Sequence, residues 1–541
     1  MNEAKPLRVV STPTAYDDGR AILQSKRSSE LFFAVVGPVG AGGSRAIGSL
    51  QSVCEAAGYK CELVKMSALI VAWATEQGEA VPENDDRTLN TVTMLQNLGD
   101  KMRKRDPSAV ARAALAEIAM RRAAQMGKPF EKGKPVTPDE VKRAYLIDSI
   151  RHPAETNLFR RTYANAFALI GVVCEEGERR HRILGKYLTK PQQHDLVLQK
   201  TIDEFIARDA DDSEASYGQH VTDAFYEADF FLDNTGKDEI GEVGLLDEPL
   251  TRLVSIVAHD RLIRPTIEET AMHHAHSARV RSACLSRQVG AALVDTDGTV
   301  VATGTNEVPK AGGGVYGEHF ASSHTVGDQR CAFRDGEKFC ASNREQNAII
   351  TELITSIPEL RASADRLRLL KEIRKTRLGQ LIEFSRAVHA EMDALLSAGR
   401  EGVSTVGTRL FVTTFPCHYC ARHIVSAGVY EVQFIEPYPK SLALDLHRDA
   451  IDVNESGWVP PEITSMAEEK RMLEPKETGR VLFRPFIGVA PRLYLRAFEK
   501  TRRLKDKLTG DMTFETPDWG DEWSPFTAAY PELEAALTRR T

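Results

Sequence analysis

The sequence predicts an α/β protein of two domains, the first doubly wound and the second an α/β/α layer with a mixed sheet. Three observations carry this. Short continuous apolar runs at Leu31–Val36, Ala144–Ile150 and Asn165–Cys174 read as strands buried on both faces, and helical stretches alternate with them. Further on, Val289–Val294 and Val300–Thr305 form a hairpin pattern across Asp297-Gly298, which brings in antiparallel pairing. Between these regions, Gly236–Leu250 turns acidic and glycine-containing and suits a seam. A length of 541 residues agrees, since it accommodates about two to four domains.

Composition narrows the class. Apolar residues make up 42% and charged residues 27%, the balance of an ordinary globular protein. A net charge of −7 argues against a chain built to coat nucleic acid, while leaving local basic patches open. No apolar run approaches the roughly 18 residues of a membrane span, and MNEAKPLRVV lacks the apolar core of a signal peptide. Eight cysteines in so long a chain fit a reducing compartment better than a disulfide framework. The expected location is the cytoplasm, with no membrane partner.

The first 30 residues are polar and turn-rich and read as a loosely held leader. The first domain is expected over residues 31–245. Its strand Leu31–Val36 runs into Gly37, Pro38, Val39, Gly40, Ala41, Gly42, Gly43 and Ser44, followed by a helix over Arg45–Ala57. Strand, glycine-rich turn and helix is the context in which backbone amides and a helix N-terminus meet phosphates. This predicts a P-loop NTPase-like domain that binds a nucleoside triphosphate, with Mg2+ held near Asp148 at the end of the strand Ala144–Ile150. The turn is degenerate, because Gly43 stands where a lysine contacts the terminal phosphates, so phosphoryl transfer is not expected. Tyr59–Met66 reads as a strand, and Asp85–Arg143 as mostly helical. The basic run Arg179–Arg182 fits either an arginine-bearing lid, as in small P-loop kinases, or a solvated helix face.

The second domain is expected over residues 250–541. Pro265–Ser286 reads as its entry helix, and His273, His274 and His276 as polar surface of that helix. The chemistry lies in Arg386–Ser441. His389, Cys417 and Cys420 offer one imidazole and two thiolates, three protein ligands that leave a fourth zinc position open. Glu391, two residues after the histidine, supplies a carboxylate that can carry protons without ligating. Met392, Leu395, Leu396 and Ala398 recur at helical spacing behind it. Arg409–Thr414 then reads as a strand, with Pro416 opening a helix that carries both cysteines on its first turn. A buried cysteine pair, a redox C-x-x-C and a core histidine are the plain alternatives. The combination of H-x-E, strand and P-C-x-x-C favours zinc.

The stretches RSACLSRQVGAALVDTDGTVVATGTNEVP, VHAEMDALL and TTFPCHYCARHIVSAGVYEVQFIEPYPKSLA resemble the deoxycytidylate deaminase branch of the cytidine-deaminase-like superfamily. Joined to a degenerate P-loop domain, they are similar to bacterial anti-phage deoxycytidine-nucleotide deaminases. The resemblance implies a cytidine deaminase-like second domain and zinc-dependent deamination of free dCTP, with dCMP as a further substrate. It also implies depletion of dCTP as antiviral defence and an inhibitory small RNA. Control of the deaminase is expected from the nucleotide-binding but non-transferring P-loop domain, and a homo-oligomer is expected. By the same resemblance Asn306 contacts the substrate sugar, and Tyr438 and Lys440 lie on a substrate-facing loop.

Two regions exceed a simple deaminase. The insert 310–385 holds His319, His324, Cys331 and Cys340, read as loop residues with a second metal as the alternative, and a charged helical run over Ser363–Arg377. The extension 444–541 is expected to pack on the deaminase or on a neighbouring subunit. Two other functional readings stay open: a deaminase acting on cytosine or adenine within nucleic acid, and a non-catalytic nucleotide or RNA sensor.

Overall fold

A computed structural model describes residues 28–82, 88–210, 217–236, 245–317, 327–336, 338–361, 365–438, 441–455, 457–461, 479–500, 504–512 and 530–539. Residues 1–27 of the expected leader lie outside them, as do His319, His324 and Lys440. The chain forms two compact units, Met1–Arg264 with Ile487–Thr541, and Pro265–Phe486.

In the first unit, strands β1 (Glu30–Val36), β2 (Lys60–Lys65), β3 (Arg143–Ile150), β4 (Phe167–Val173) and β5 (Phe230–Asp233) form a parallel sheet in the order β5-β4-β1-β3-β2. All side chains of β1 and β4 are buried, as their unbroken apolar runs require. After β1 the chain steps to one side for β2 and β3, then crosses to the other for β4 and β5. Right-handed crossovers in both directions place helices on both faces. The order therefore reverses around β1, and such reversals open a crevice at the strands' carboxyl ends. The glycine turn sits there. The stretch read as mostly helical over Asp85–Arg143 resolves into Leu89–Arg105 and Ala109–Gln125, with no helix over 126–142.

The domain boundaries differ from the expectation at both ends. The seam lies at Arg264 rather than near 250, because the helix Asp247–Ala258 buries Leu250, Leu253, Val254 and Val257 and packs on the helix Gly43–Ala56. The extension 444–541 is also divided: from Ile487 onward it belongs to the first unit. Gly488–Val489 pairs antiparallel with β5. The helix Tyr530–Thr538 places Glu534 against Arg122, with Nη1 donating to Oε2 at 2.7 Å, while Arg122 Nε donates to Glu30 at 2.9 Å. Tyr163 donates to Glu534 at 2.7 Å and Tyr530 to Glu30 at 2.7 Å. All five residues are buried, so this polar cluster, spread from residue 30 to residue 534, has its partners only when the C-terminal helix is in place. A charge pairing over such a sequence separation leaves no local signal, so the sequence pattern does not mark this boundary.

The second unit is a mixed sheet of β6 (Gly290–Val294), β7 (Val300–Thr305), β8 (Arg409–Thr414), β9 (Glu431–Glu436), β10 (Ile451–Asp452) and β11 (Val481–Pro485), ordered β10-β11-β9-β8-β6-β7. β6 runs antiparallel to β7 and β8, and the remaining pairs are parallel. Two glycines let helices lie directly on the hairpin. A Cβ at Gly290 would stand 2.0 Å from Ala275 O, and one at Gly304 would stand 2.0 Å from Ala390 O. The entry helix spans Ile267–Arg279, shorter than Pro265–Ser286. It opens on a capping box between Thr266 and Glu269. Past its end, Ser282 donates to Asn306 O at 2.7 Å and the Ala283 amide to Glu307 at 2.7 Å, which draws the chain off the helical path. Among the described residues, no helix is long and apolar enough to cross a membrane.

Candidate functional site

His389 is the N-cap of the helix Ala390–Arg400, which packs on β7. Asp393, one turn along, accepts the Thr305 amide at 3.0 Å and ties this helix to the hairpin. Cys417 follows β8 and is the N-cap of the helix His418–Ser426. Pro416 therefore precedes the cap instead of opening the helix. The cysteines occupy the cap and the third helical position, where the Cys417 sulfur accepts the Cys420 amide at 3.5 Å. A thiolate here does the work of a capping side chain, which explains why Pro-Cys-x-x-Cys starts a helix without Ser, Thr, Asp or Asn. Two helix N-termini thus meet at one point, and each favours negative charge.

His389 Nδ1 lies 3.3 Å from Cys417 Sγ and 3.4 Å from Cys420 Sγ, and the three donor atoms fall within 4.8 Å of one another. Tetrahedral zinc with ordinary Zn–N and Zn–S lengths separates such donors by about 3.5 Å. The residues fit the ion. Among the described residues, no other group of three metal-binding side chains gathers. The Cys417 thiol is pulled down to about 4, first by the hydrogen bond from Cys420 and also by His389, against its burial. Burial works to lower the His389 imidazole, but Cys417 and the charge of Glu391 hold it up at about 9. Glu391 is 4% exposed, and burial first, then the Cys417 charge, push its carboxyl up to about 7 while His389 pulls it back. A carboxyl poised there can both take and give a proton near neutral pH.

The cluster opens on a cavity of about 440 Å³, whose wall includes Asn306, Glu391, His389, Cys417 and Tyr438. Asn306 is fixed: its Oδ1 accepts the Val289 amide at 2.6 Å and its Nδ2 donates to Arg287 O at 2.7 Å. The structure brings Asn306 and Tyr438 to the site, and Lys440 lies outside the described residues. Cys331 and Cys340 of the insert also reach this wall. The second-metal alternative needed His319 and His324, which lie outside the described residues. His273 and His276 are half-buried and His274 is exposed, on a helix whose buried face is Ala271, Met272, Ala275 and Ala278. Sequence reasoning missed the arginines of the wall: Arg287 on the loop before β6, Arg374 on the helix Arg366–Arg374 of the insert, and Arg386. Arg374 is oriented by Asn347 Oδ1 at 2.5 Å, and Arg287 Nη1 lies 3.5 Å from Glu436. The signal available was an insert rich in arginine beside a site expected to take an anion.

In the first unit a cavity of about 400 Å³ is lined by Gly37, Pro38, Val39, Gly40, Gly42, Gly43, Ser44 and Asp148. Of the expected turn residues, Ala41 alone is off this wall, and it is buried. Gly40 and Gly42 adopt φ of 85° and 88°, the left-handed region that glycine tolerates. A Cβ on Gly40 would also meet Arg179 O at 2.9 Å, so the turn lies under the helix Glu176–Tyr187. That helix carries the basic run. Arg182 reaches the cavity and donates to Asn234 O at 2.9 Å, whereas Arg180 pairs with Asp203 on the exposed side. Arg182 thus stands on the cavity wall and Arg180 on the solvated face of the same helix. Two turn amides are already engaged: Ala41 N–H donates to Pro38 O at 3.0 Å, and Val39 N–H to the buried Asp209 carboxylate at 2.7 Å, which Arg151 pairs at 2.9 Å.

A mixed sheet holding His-x-Glu and Cys-x-x-Cys at facing helix N-termini defines a zinc-dependent hydrolytic deaminase. Residues 265–436 match the family model described as the cytidine and deoxycytidylate deaminase zinc-binding region. Deoxycytidylate deaminase of Enterobacteria phage T4 is 31% identical over 174 residues, which cover 32% of this chain and 79% of that protein. The deoxycytidylate deaminase of Saccharomyces cerevisiae is 28% identical, over 33% of this chain and 40% of its own. A crystal structure of cyanophage S-TIM5 dCMP deaminase with dCMP and dUMP aligns at 22% identity and a TM-score of 0.20, covering 34% of this chain and 93% of that one. The chain belongs to the cytidine and deoxycytidylate deaminase family.

Proposed function

We propose that the second unit hydrolyses the 4-amino group of a free deoxycytidine nucleotide, dCTP or dCMP, to give the deoxyuridine nucleotide and ammonia. The observation that carries this reading is the Glu391 carboxyl, buried beside the three metal donors on the wall of a cavity that also bears Arg287, Arg374 and Arg386. His389, Cys417 and Cys420 would hold Zn2+, which supplies the Lewis acidity that brings the ionisation of water to neutral pH. Glu391 takes one proton of the attacking water and delivers it to ring N3, then takes the remaining proton from the new C4 hydroxyl and passes it to the amine as the C4–N bond breaks and the C4 carbonyl forms. Asn306 and Tyr438 position the sugar end, and the arginines meet the phosphates, for which guanidinium geometry is suited. The relatives named deoxycytidylate deaminase support the nucleotide class. A nucleic-acid substrate is disfavoured by the net charge of −7. The sensor reading is disfavoured by a complete donor set with its carboxyl.

The defence role, dCTP depletion against phage, and restraint by a small RNA are part of this proposal and rest on the sequence resemblance; a homo-oligomer belongs to it too, and a cytoplasmic location rests on the cysteine usage. Control through the first unit, with a nucleoside triphosphate and Mg2+ at the glycine turn and Asp148, is also part of it and rests on the glycine-turn pattern. The strand–turn–helix arrangement at a reversal of strand order supports that part. The test is a substrate panel: purified protein with dCTP, dCMP, CTP, deoxycytidine and single-stranded DNA, assayed for uracil products. Conversion of the oligonucleotide alone would sink the free-nucleotide reading.

A further inference from the structure

Phosphate binding does not account for the whole cavity of the first unit. Besides the glycine turn, its wall is formed by one face of the helix Leu89–Arg105, namely Val92, Leu95, Gln96, Gly99 and Arg103, together with Met66, Ile70 and Gln219. These helix positions follow the three-and-four spacing of a single stripe. A phosphate calls for amides and cations; Val92 and Leu95 supply neither, and Arg103 is already paired with Glu155 and Asp100. Gln96 is 6% exposed and Gln219 4%, and the Oε1 of each is buried and accepts no hydrogen bond among the described residues. An unsatisfied buried carbonyl is destabilising, and native interiors hold few of them. Here two stand on the wall of one cavity, beside apolar side chains and in the same space as the phosphate-type turn.

We infer that this cavity takes an entire nucleotide, with its base held between apolar side chains and read at its edge by the primary amides of Gln96 and Gln219. A primary amide matches any base edge that presents a neighbouring donor and acceptor, since either end of the amide can be turned toward it. Met66, Ile70, Val92 and Leu95 supply the apolar contact that a flat ring needs. Arg103 is buried and committed through Nε to Glu155 at 2.9 Å and through Nη1 to Asp100 at 3.4 Å, so it braces the helix that carries Gln96. The volume of about 400 Å³ lies within the range of small-molecule sites. The inference rests on the reading that the glycine turn receives phosphate.

The test uses the full chain, hydrogen exchange read by mass spectrometry, and three probes: dTMP, dAMP and inorganic pyrophosphate. Protection and affinity are read from exchange at 37–44 and 89–105, so any binding of the product-like dTMP at the deaminase site stays out of the measurement. Pyrophosphate is expected to protect residues 37–44 alone. At least one of the nucleotides is expected to protect both 37–44 and 89–105, and to bind ten-fold or more tightly than pyrophosphate. Gln96→Leu, of similar volume, should weaken that nucleotide at least ten-fold and leave pyrophosphate binding unchanged, with Gln219→Leu acting in the same sense. If both nucleotides bind no better than pyrophosphate, or if Gln96→Leu binds its nucleotide as the parent does, the base site is overturned and the two carbonyls are met by solvent. If no probe protects 37–44, the phosphate reading falls and takes this inference with it. The comparison of nucleotide with pyrophosphate on the parent chain decides the matter even where a variant does not fold.

Discussion

The two units solve one problem in opposite materials. Each places its site at a helix N-terminus following a sheet strand, where unpaired amides and the helix dipole favour negative charge. In the second unit the helix ends are capped by side chains with chemistry of their own, His389 and Cys417. In the first, the cap is Gly42, which contributes only backbone. A site built from side chains is committed to one ion and one reaction. A site built from backbone amides is committed to a shape and a charge, and takes its selectivity from whatever else lines the cavity.

That contrast predicts the largest effect at the proton carrier. Glu391→Gln keeps the volume and the metal donors but removes the carboxyl, so turnover should fall by about 10²–10⁴-fold with zinc content unchanged. Metal analysis on the same preparation provides the control. His389→Ala should lose the metal as well, and chelation of the parent protein should mimic it, with activity restored by added Zn2+. Near-parental turnover in Glu391→Gln would rule out the proton path assigned to it.

The next effect is on stability and belongs to the first unit. Glu534→Ala leaves Arg122 buried with one carboxylate in place of two and removes the acceptor of Tyr163. Breaking a buried pair costs about 3–5 kcal/mol. Urea unfolding of the full chain should show an early transition shifted by that amount, and Tyr530→Phe should shift it less. An unshifted transition would mean that the C-terminal helix does not help hold this unit. The boundary has a practical consequence: a fragment of residues 250–541 separates Glu534 from Arg122, whereas 265–486 matches the compact deaminase unit.

How much of this was legible in the sequence follows the same division. The zinc donors and Glu391 could be read because imidazole, thiol and carboxyl at those spacings have few other uses, and the local helix and strand pattern placed them. The buried strands could be read from unbroken apolar runs such as Leu31–Val36 and Asn165–Cys174. The arginines of the deaminase wall could not: Arg374 stands among many charged residues and only the folded insert brings it to Glu391, while nothing in the pattern marks Arg386, five positions before Glu391, as wall rather than surface. Nor could Gln96, Gln219 and Asp209 be read. Each is an ordinary polar residue in an amphipathic stretch, and its meaning comes from burial beside a turn that is distant in sequence. The C-terminal helix was misassigned for the same reason, as the partners of Glu534 lie hundreds of positions away.

A smaller effect tests the arginines of the wall. Arg374→Ala should raise KM for dCTP or dCMP by about 10- to 100-fold with little change in kcat, as expected on losing a charge-assisted hydrogen bond of about 1.5–3 kcal/mol to phosphate. Deoxycytidine, which has no phosphate, should be unaffected. An equal loss on the nucleoside would show that Arg374 only supports the insert.

The smallest effect is expected at Gly43, and it bears most directly on what the backbone-built site gave up. Its φ is outside the left-handed region, and a Cβ there meets only Val35 Cγ1, at 3.5 Å, an ordinary contact. Glycine is therefore not required at 43 by packing or conformation, in contrast to Gly40 and Gly42, where a Cβ would stand 2.8 Å from Arg179 Cγ and 2.1 Å from Asn234 Nδ2. Gly43→Lys should fold with a Tm equal to or slightly above the parent's, because lysine suits a helix better than glycine by several tenths of a kcal/mol. The added ammonium would stand where a terminal phosphate is expected, so triphosphate affinity should rise about ten-fold, while deaminase kinetics with dCMP as the one nucleotide present stay as they were. Phosphoryl transfer should still be absent, since one charge does not position an acceptor. Binding measured by calorimetry with a triphosphate, set beside the melting curve, gives the answer. A lower Tm would show that the turn needs glycine at 43 after all, and unchanged affinity would mean that phosphates do not reach this end of the cavity.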